Sequence, residues 1–157
     1  MSTTLTRPHL RPVLAHVPTP LVAVAALVDG RPTGLVLGSF VGLSLDPPLI
    51  GLSVQTTSST WPLLRDAPEV GISVLGSAHA GIARQLGGPA ADRFTGVAWS
   101  ARGQTVLLDD AVAHLRAHLV DEVLTGDHVF AVLQVTEATA DGAVDPLVFH
   151  GSRVRSL

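Results

Sequence analysis

Cysteine, tyrosine and lysine are all missing from this 157-residue sequence, so its ten basic residues are all arginines. Without cysteine the chain has no disulfide, no thiolate metal ligand and no thiol nucleophile, and without lysine it has no Schiff-base chemistry. Its formal net charge is −3, and no cluster of basic residues offsets it. Because a nucleic-acid partner demands a positive face, these features exclude nucleic acid as a partner.

Long hydrophobic runs are also missing, and the apolar segment at residues 21–28 is far too short to cross a bilayer. Two arginines precede it, and the small residues at 23–25 have the look of a signal-peptidase site. However, two prolines interrupt its entry, and it leads directly into a hairpin turn at Asp29-Gly30. We interpret the segment as a strand and predict a cytoplasmic protein without a membrane partner.

Short apolar runs separated by turn residues fill most of the chain, which is typical of a β-rich domain. The connection Asp46-Pro47-Pro48 is expected to lie outside the paired region, because proline cannot donate to a sheet ladder. The predicted strands cover residues 21–28, 34–40, 49–54, 70–75, 111–120, 129–136 and 147–150.

Two segments favour helix instead of strand. Residues 61–67 follow three hydroxyl residues that could each cap a helix, with Pro62 tolerated in the first turn. Residues 78–86 follow Ser77 as an N-cap and stop at Gly87-Gly88. The polar, irregular stretch at 88–104 predicts a loop over a binding site.

These elements together predict one mainly β domain over residues 1–157 with two short helices. Residues 1–12 are expected to form a flexible or interface-packing lead. Closing the sheet into a barrel would remove its unpaired edges, so a barrel is the expected architecture.

Five consecutive hydroxyl residues at 56–60 form the most unusual stretch of the sequence. A strand that ends in serine and threonine beside a helix start can bind an anion, because hydroxyls and free backbone N–H groups donate to it. Such a site requires no lysine, which suits this chain. The alternative is that the hydroxyls only cap the helix and satisfy a turn.

His114 and His118 have the spacing of a metal pair on a helix, but the surrounding residues alternate with period two. On a strand the two side chains would lie roughly 13 Å apart, too far to share one metal. We therefore predict no metal site.

Several motifs in order resemble the flavin reductase-like proteins with the FMN-binding split-barrel fold. The segments that carry the resemblance are "VPTPLVAVAALVDGRPTGLVLGSFVGLSLDPPLIGLSVQTTSSTWPLL", "GISVL", "ADRF", "GDH" and "PLVFHGSRVRSL". The resemblance implies a mainly β, antiparallel, Greek-key-like split barrel. It also implies a homodimer that reduces FMN or FAD with NADH or NADPH and often supplies a partner monooxygenase. Ordered motifs at suitable spacing are more specific than any one of them.

The same resemblance assigns roles to particular residues. His128 would lie at the nicotinamide as the catalytic residue, and His150 would lie near the flavin. Arg93 and Phe94 would cover the flavin or contact a nucleotide phosphate. The alternatives are a surface salt bridge at Arg93 beside a core Phe94, and a solvated turn at His150. The flavin phosphate would be held by Ser58, Ser59 and Thr60, and the ring would lie along Val36, Leu37, Gly38 and Ser39.

Three positions depart from the family pattern. Val36, Gly38 and Val41 stand where hydroxyl residues are usual, so fewer side-chain donors would face the flavin ring. Gly38 could still permit a close approach of the backbone to the ring. The alternative hypothesis is a diverged barrel that binds flavin or another ligand without reducing it. In that case the chain would have an accessory role or a different catalytic role in a pathway.

Overall fold

The computed structural model describes residues 4–157, which form a mainly antiparallel β structure with three short helices. The helices are α1 (Arg7–Leu14), α2 (Trp61–Arg65) and α3 (Ala83–Leu86). The strands are β1 (Thr19–Pro20), β2 (Val22–Val28), β3 (Arg31–Leu37), β4 (Val41–Leu45), β5 (Pro48–Gln55), β6 (Val70–Val74), β7 (Trp99–Arg102), β8 (Thr105–Leu108), β9 (Ala113–Thr125), β10 (His128–Ala140), β11 (Leu147–His150) and β12 (Arg153–Ser156).

Nine strands form one sheet with the order β4-β5-β10-β9-β6-β2-β8-β7, and β3 pairs with β2 on a branch. The sheet curls until the ends of β3 and β5 face each other without a ladder between them. The Ser39 hydroxyl, just beyond β3, joins them by donating to the Ser53 carbonyl at 2.7 Å and accepting from the Ser53 N–H at 3.0 Å. The predicted barrel-like β fold is confirmed, with β1, β11 and β12 as a separate small sheet.

Strand β2 explains why the sequence shows an unbroken apolar run where an amphipathic strand would alternate. Val22, Val24 and Ala26 point into the main core, whereas Ala23 and the preceding Leu21 pack into a second core. Successive strand residues point to opposite faces, so a strand between two cores must be apolar on both. The second core lies beneath α3 and the loop that follows it, and it supports β3 from outside the barrel.

Close packing of β6 against β8 depends on Gly71. A Cβ at this position would lie 2.2 Å from the Val106 carbonyl oxygen, a distance that no side chain can occupy. The absence of a side chain therefore lets the two strands approach each other.

The predicted hairpin at Asp29-Gly30 is confirmed, with φ of 51° and 75° at the two turn residues. Both values are positive, as a two-residue turn of type I′ requires. Strand β3 is shifted from its predicted range and ends at Leu37. The interpretation of Pro48 is wrong: it begins β5 and pairs with Leu45. Its carbonyl can still accept, so the first position of a strand tolerates it.

Five strands were not predicted from the sequence: β1, β4, β7, β8 and β12. The missed strand β8 is buried at all four of its residues, and β7 occupies the end of the predicted irregular loop. Strands β9 and β10, with 13 residues each, are longer than predicted because they pair with each other in one long hairpin. Strand geometry at His114 and His118 is confirmed, and His114 Nε2 contacts the Leu108 carbonyl at 2.6 Å.

The second predicted helix is divided into two pieces. A 3₁₀ turn covers Ser77–His79, and α3 begins only at Ala83, after Gly81. Ser77 is not the cap, because it lies inside the 3₁₀ turn, with Gly76 in the cap position. The His79 side chain accepts the Gly76 N–H through Nδ1 at 3.0 Å. The predicted stop is confirmed, since α3 ends immediately before Gly87-Gly88.

The N-terminal lead contains helix α1, which the sequence analysis did not assign. Its end is fixed to the β11–β12 turn by a hydrogen bond from the Gly151 N–H to the Ala15 carbonyl at 2.8 Å. Thr6 before the helix and Pro8 in its first turn were signals for a helix start, but Pro12 in the interior argues against helix. No helix within residues 4–157 has the length and apolar character needed to cross a membrane.

Candidate functional site

A cavity of about 800 Å³ opens where α1, β3, β5 and the hydroxyl residues meet. This volume lies in the range of small-molecule and cofactor sites. Nine of the eleven predicted site residues line the cavity: Val36, Leu37, Gly38, Ser39, Ser58, Ser59, Thr60, Arg93 and His128. Phe94 and His150 are not among the lining residues.

The three hydroxyl residues before α2 have different surroundings. Ser58 Oγ accepts the Trp61 N–H at 3.1 Å, so this side chain caps the helix. Thr60 is buried, and its hydroxyl accepts from Arg93. Ser59 is exposed, and within residues 4–157 neither its hydroxyl nor its N–H donates to another group. The cap and the anion-site interpretations therefore apply to different residues of one loop.

Arg93 is a half-buried cation that connects three segments at the same end of the cavity. Its Nη1 donates to the Gly34 carbonyl at 2.7 Å and to the Thr60 hydroxyl at 3.1 Å, and its Nε donates to the Gly88 carbonyl at 2.8 Å. Nη2 donates to no group in the described part of the chain. Burial lowers the pKa of the guanidinium from its ordinary value.

None of the carboxylates that the structure describes forms an ion pair with Arg93. Taking a cation out of water without a counter-charge is unfavourable. An anion bound between Nη2 and the Ser59 donors would supply that counter-charge. This end of the cavity therefore has the donor set of a phosphate site.

The wall along β3 is apolar, as a flat aromatic ring requires. Val36 and Leu37 line it, and Gly38 follows at the strand end. The fold leaves no room for a side chain at Gly38, since a Cβ there would lie 2.8 Å from Thr19 Oγ1 on β1. The Ser39 hydroxyl donates its proton to Ser53, so it has no proton left to donate into the cavity.

His128 begins β10, where it pairs with Gln55 of β5 and lines the same cavity. A two-residue turn, Gly126-Asp127, precedes it, with φ of 64° at Gly126. Its Nδ1 lies 2.6 Å from Asp127 Oδ1. The hydrogen bond from His128 and a second contact from Arg7 hold the pKa of the Asp127 carboxyl below its usual range. The carboxylate is therefore ionised at neutral pH.

The two remaining predicted residues lie elsewhere. Phe94 packs with the second core, which is the alternative interpretation of this residue. His150 lies on β11, where its ring centroid is 6.4 Å from that of His16 in an edge-on arrangement. Strand alternation turns its neighbour Phe149 toward the cavity.

Sequence reasoning missed the contribution of the N-terminal segment to the cavity. Arg11, Leu14, Ala15 and Val17 form one wall. The pattern that could have revealed them is the amphipathic spacing of Leu10, Val13 and Leu14 in the lead.

A second cavity of about 520 Å³ lies between α1 and the turn before His128. It shares Arg11, Leu14, Gln55 and His128 with the first cavity. The histidine therefore faces two connected spaces, one next to the phosphate-type donors and one beneath the helix.

Residues 14–157 match the family model described as the flavin reductase like domain. An NADH:riboflavin 5′-phosphate oxidoreductase of Streptomyces pristinaespiralis is 34% identical over 145 residues, which cover 89% of this chain and 82% of that protein. The reductase component of a 4-nitrophenol 4-monooxygenase/4-nitrocatechol 2-monooxygenase of Rhodococcus opacus is 30% identical over 149 residues, covering 95% and 80%.

A solved structure with a very similar fold is the NADH:FAD oxidoreductase of Streptomyces globisporus C-1027 in complex with NAD and FAD fragments. It is 28% identical to this chain with a TM-score of 0.91, covering 100% of this chain and 96% of that one.

Proposed function

The chain belongs to the flavin reductase-like domain family, and on that premise we propose that it reduces a flavin with NADH inside the larger cavity. The observation that carries this function is the placement of two kinds of donor in one space. Phosphate-type donors at Ser59 and Arg93 line the cavity together with the His128 imidazole. The apolar wall of Val36 and Leu37 runs along the same cavity.

The residues of this chain supply binding and orientation. Ser59, Thr60 and Arg93 would hold the flavin phosphate, and β3 would lie along the ring. His128 would orient the nicotinamide through Nε2, either by a hydrogen bond to its carboxamide or by stacking. The bound groups supply a hydride transfer from nicotinamide C4 to flavin N5, which breaks a C–H bond, forms an N–H bond and moves two electrons. Such a reaction needs no nucleophile or acid-base pair from the protein.

The choice of NADH follows the names of the relatives, which specify NADH or NAD. Those names divide between riboflavin 5′-phosphate and FAD, so FMN and FAD are both candidate acceptors. The R. opacus relative is the reductase component of a monooxygenase. By analogy, the reduced flavin formed here would pass to a partner monooxygenase.

The decisive experiment is anaerobic stopped-flow absorbance of the flavin band with each combination of FMN or FAD and NADH or NADPH. Catalytic bleaching with NADH supports the proposal and identifies the flavin. His128→Ala is expected to slow bleaching while sparing flavin affinity, with the exposed Asp66→Ala as a matched control. Flavin binding without bleaching would refute the reductase function and favour the diverged-barrel alternative.

We propose that the protein acts as a homodimer in the cytoplasm. Strand β4 lies at an edge of the large sheet, and it exposes Val41 and Leu43 by 43% and 44% and Leu45 by 97%. Exposed apolar edge strands are normally covered by another chain. Light scattering should therefore give twice the chain mass, and the double variant Leu43→Glu with Leu45→Glu should give a monomer. A monomeric parent protein would contradict this proposal.

A further inference from the structure

The turn before His128 is held firmly to the neighbouring strand end. The Asp127 carbonyl accepts the Thr56 N–H at 3.0 Å and the Thr56 hydroxyl at 3.1 Å. Thr125, on the other side of the turn, donates its hydroxyl to the His128 carbonyl at 3.3 Å. With its backbone fixed on both sides, Asp127 has few ways to direct its carboxylate.

Each oxygen of that carboxylate has its own partner. Oδ1 contacts His128 Nδ1 at 2.6 Å, and Oδ2 contacts Arg7 Nη2, which comes from α1. Arg7 lies 120 residues earlier in the chain, so this contact joins two distant parts of the sequence. The three side chains form a continuous series from the N-terminal helix to the histidine.

The series determines which imidazole nitrogen carries hydrogen. An ionised carboxylate can only accept, so Nδ1 must be the donor. Nε2 donates to none of the residues 4–157, and the side chain lines both cavities. Nε2 is therefore the nitrogen available to a bound molecule.

The contribution of this series to stability is expected to be small. Arg7 is 76% exposed and Asp127 is 61% exposed. Exposed ion pairs contribute little to the free energy of unfolding, because water and salt screen them. Removing Asp127 or Arg7 would therefore change the orientation and tautomer of the His128 ring more than the stability of the protein. A carboxylate partner determines both properties in histidine sites generally.

We propose that Asp127 and Arg7 are positioning residues for His128. Through Arg7, helix α1 would thereby help to orient the residue that binds the nicotinamide. The inference rests on the proposed function for its kinetic consequence, but the tautomer of His128 can be measured without any turnover. Arg7 fixes the carboxylate, and the carboxylate holds the imidazole with Nε2 toward the cavities.

The test compares Asp127→Ala and Arg7→Ala in the full chain, with Asp66→Ala and Arg84→Ala as exposed controls. Nitrogen NMR of the imidazoles, with the His128 signal assigned from His128→Gln, should show the Nδ1–H tautomer in the parent protein and its loss in Asp127→Ala. The kcat/KM for NADH should fall about tenfold in Asp127→Ala, the low end for partners that orient a histidine. Arg7→Ala should lower it about threefold, as suits an exposed pair.

Flavin affinity should stay within about twofold of the parent value in both variants, because Asp127 contacts the hydroxyl run only through its backbone carbonyl, which both variants keep. Arg7→Lys and Asp127→Glu should restore part of the lost rate, which a merely structural defect would not predict. An unchanged tautomer in Asp127→Ala, or an equal fall in flavin affinity, would overturn the inference. If the parent protein shows the tautomer but does not oxidise NADH, the proposed function fails while the positioning of His128 stands.

Discussion

The Arg93 guanidinium donates to the buried Thr60 hydroxyl across 3.1 Å, although the two residues lie 33 positions apart. This hydrogen bond holds the loop before α2 in place and leaves Nη2 of Arg93 available to an anion. We expect Arg93→Ala to lower the free energy of unfolding by about 1–3 kcal/mol, because the Gly34 carbonyl and Thr60 hydroxyl lose a partner. Flavin affinity should fall about tenfold, or ~1.4 kcal/mol.

Urea denaturation and flavin titration measure the two effects of the Arg93 change separately. Arg93→Lys should recover only part of the affinity, since an ammonium keeps the charge without the planar fork. The exposed Arg84→Ala is the control. Arg93→Ala behaving like that control in both measurements would contradict the assignment.

Substitution of Ser58 should affect mainly stability, whereas substitution of Ser59 should affect mainly flavin binding. Ser58→Ala removes the cap on Trp61 N–H and is expected to cost about 1 kcal/mol of stability. Ser59→Ala should leave stability within about 0.5 kcal/mol, as for other surface changes. It should weaken flavin binding about tenfold if its hydroxyl donates to a phosphate. Equal flavin affinities for the two variants would argue against a distinct role for Ser59.

Ser39 should matter for folding more than for binding. Ser39→Ala leaves both backbone groups of Ser53 without their partner at the open seam of the barrel. We expect a loss of about 1–3 kcal/mol in the free energy of unfolding. Thermal or urea unfolding measures this loss, with the exposed Ser100→Ala as control. A large loss of flavin affinity without loss of stability would show that the hydroxyl serves the ligand instead.

Glu69 should govern part of the acid stability. Its carboxylate accepts from Thr136 Oγ1 at 2.8 Å and from Arg116 Nη2 at 2.6 Å. The Thr136 hydrogen bond first, and then Arg116, hold the pKa of this carboxyl below its ordinary value. The unfolded chain therefore binds the proton more tightly. The stabilisation is complete above about pH 4.3, the unfolded value, and is lost as the pH falls through the lower folded value.

Glu69→Gln is the matching change, since it removes the titrating group and keeps the shape. It should lower stability at neutral pH and make the decline below about pH 4.3 shallower than in the parent protein. Urea unfolding across acidic pH measures this slope, and Asp66→Asn serves as control. An unchanged slope would mean that Glu69 contributes nothing to acid unfolding.

Much of the β framework could be predicted from the sequence because its signals are local. Residues 147–150 were predicted as a strand and form β11, and the Asp29-Gly30 turn has the expected positive φ values. The missed elements lack such signals. Helix α1 contains a proline in its interior, and β8 is a four-residue buried run that pairs with β7 and β2. The 3₁₀ turn at Ser77–His79 is capped by the buried His79 side chain, which no local pattern indicates.

The sequence by itself determined the chemical inventory of this protein: a run of hydroxyls before a helix, arginine as its only strong cation, and ordered motifs of one family. Only the tertiary structure decided which hydrogen-bonding role each hydroxyl has. Ser39 joins β3 to β5, Ser58 caps α2 and Thr60 accepts from Arg93, whereas Ser59 has no hydrogen-bond partner among residues 4–157. The physical reason is distance along the chain. Residue type and spacing decide turns and periodicity, whereas the contacts of Arg93 and Arg7 span 33 and 120 positions and form only when the barrel closes.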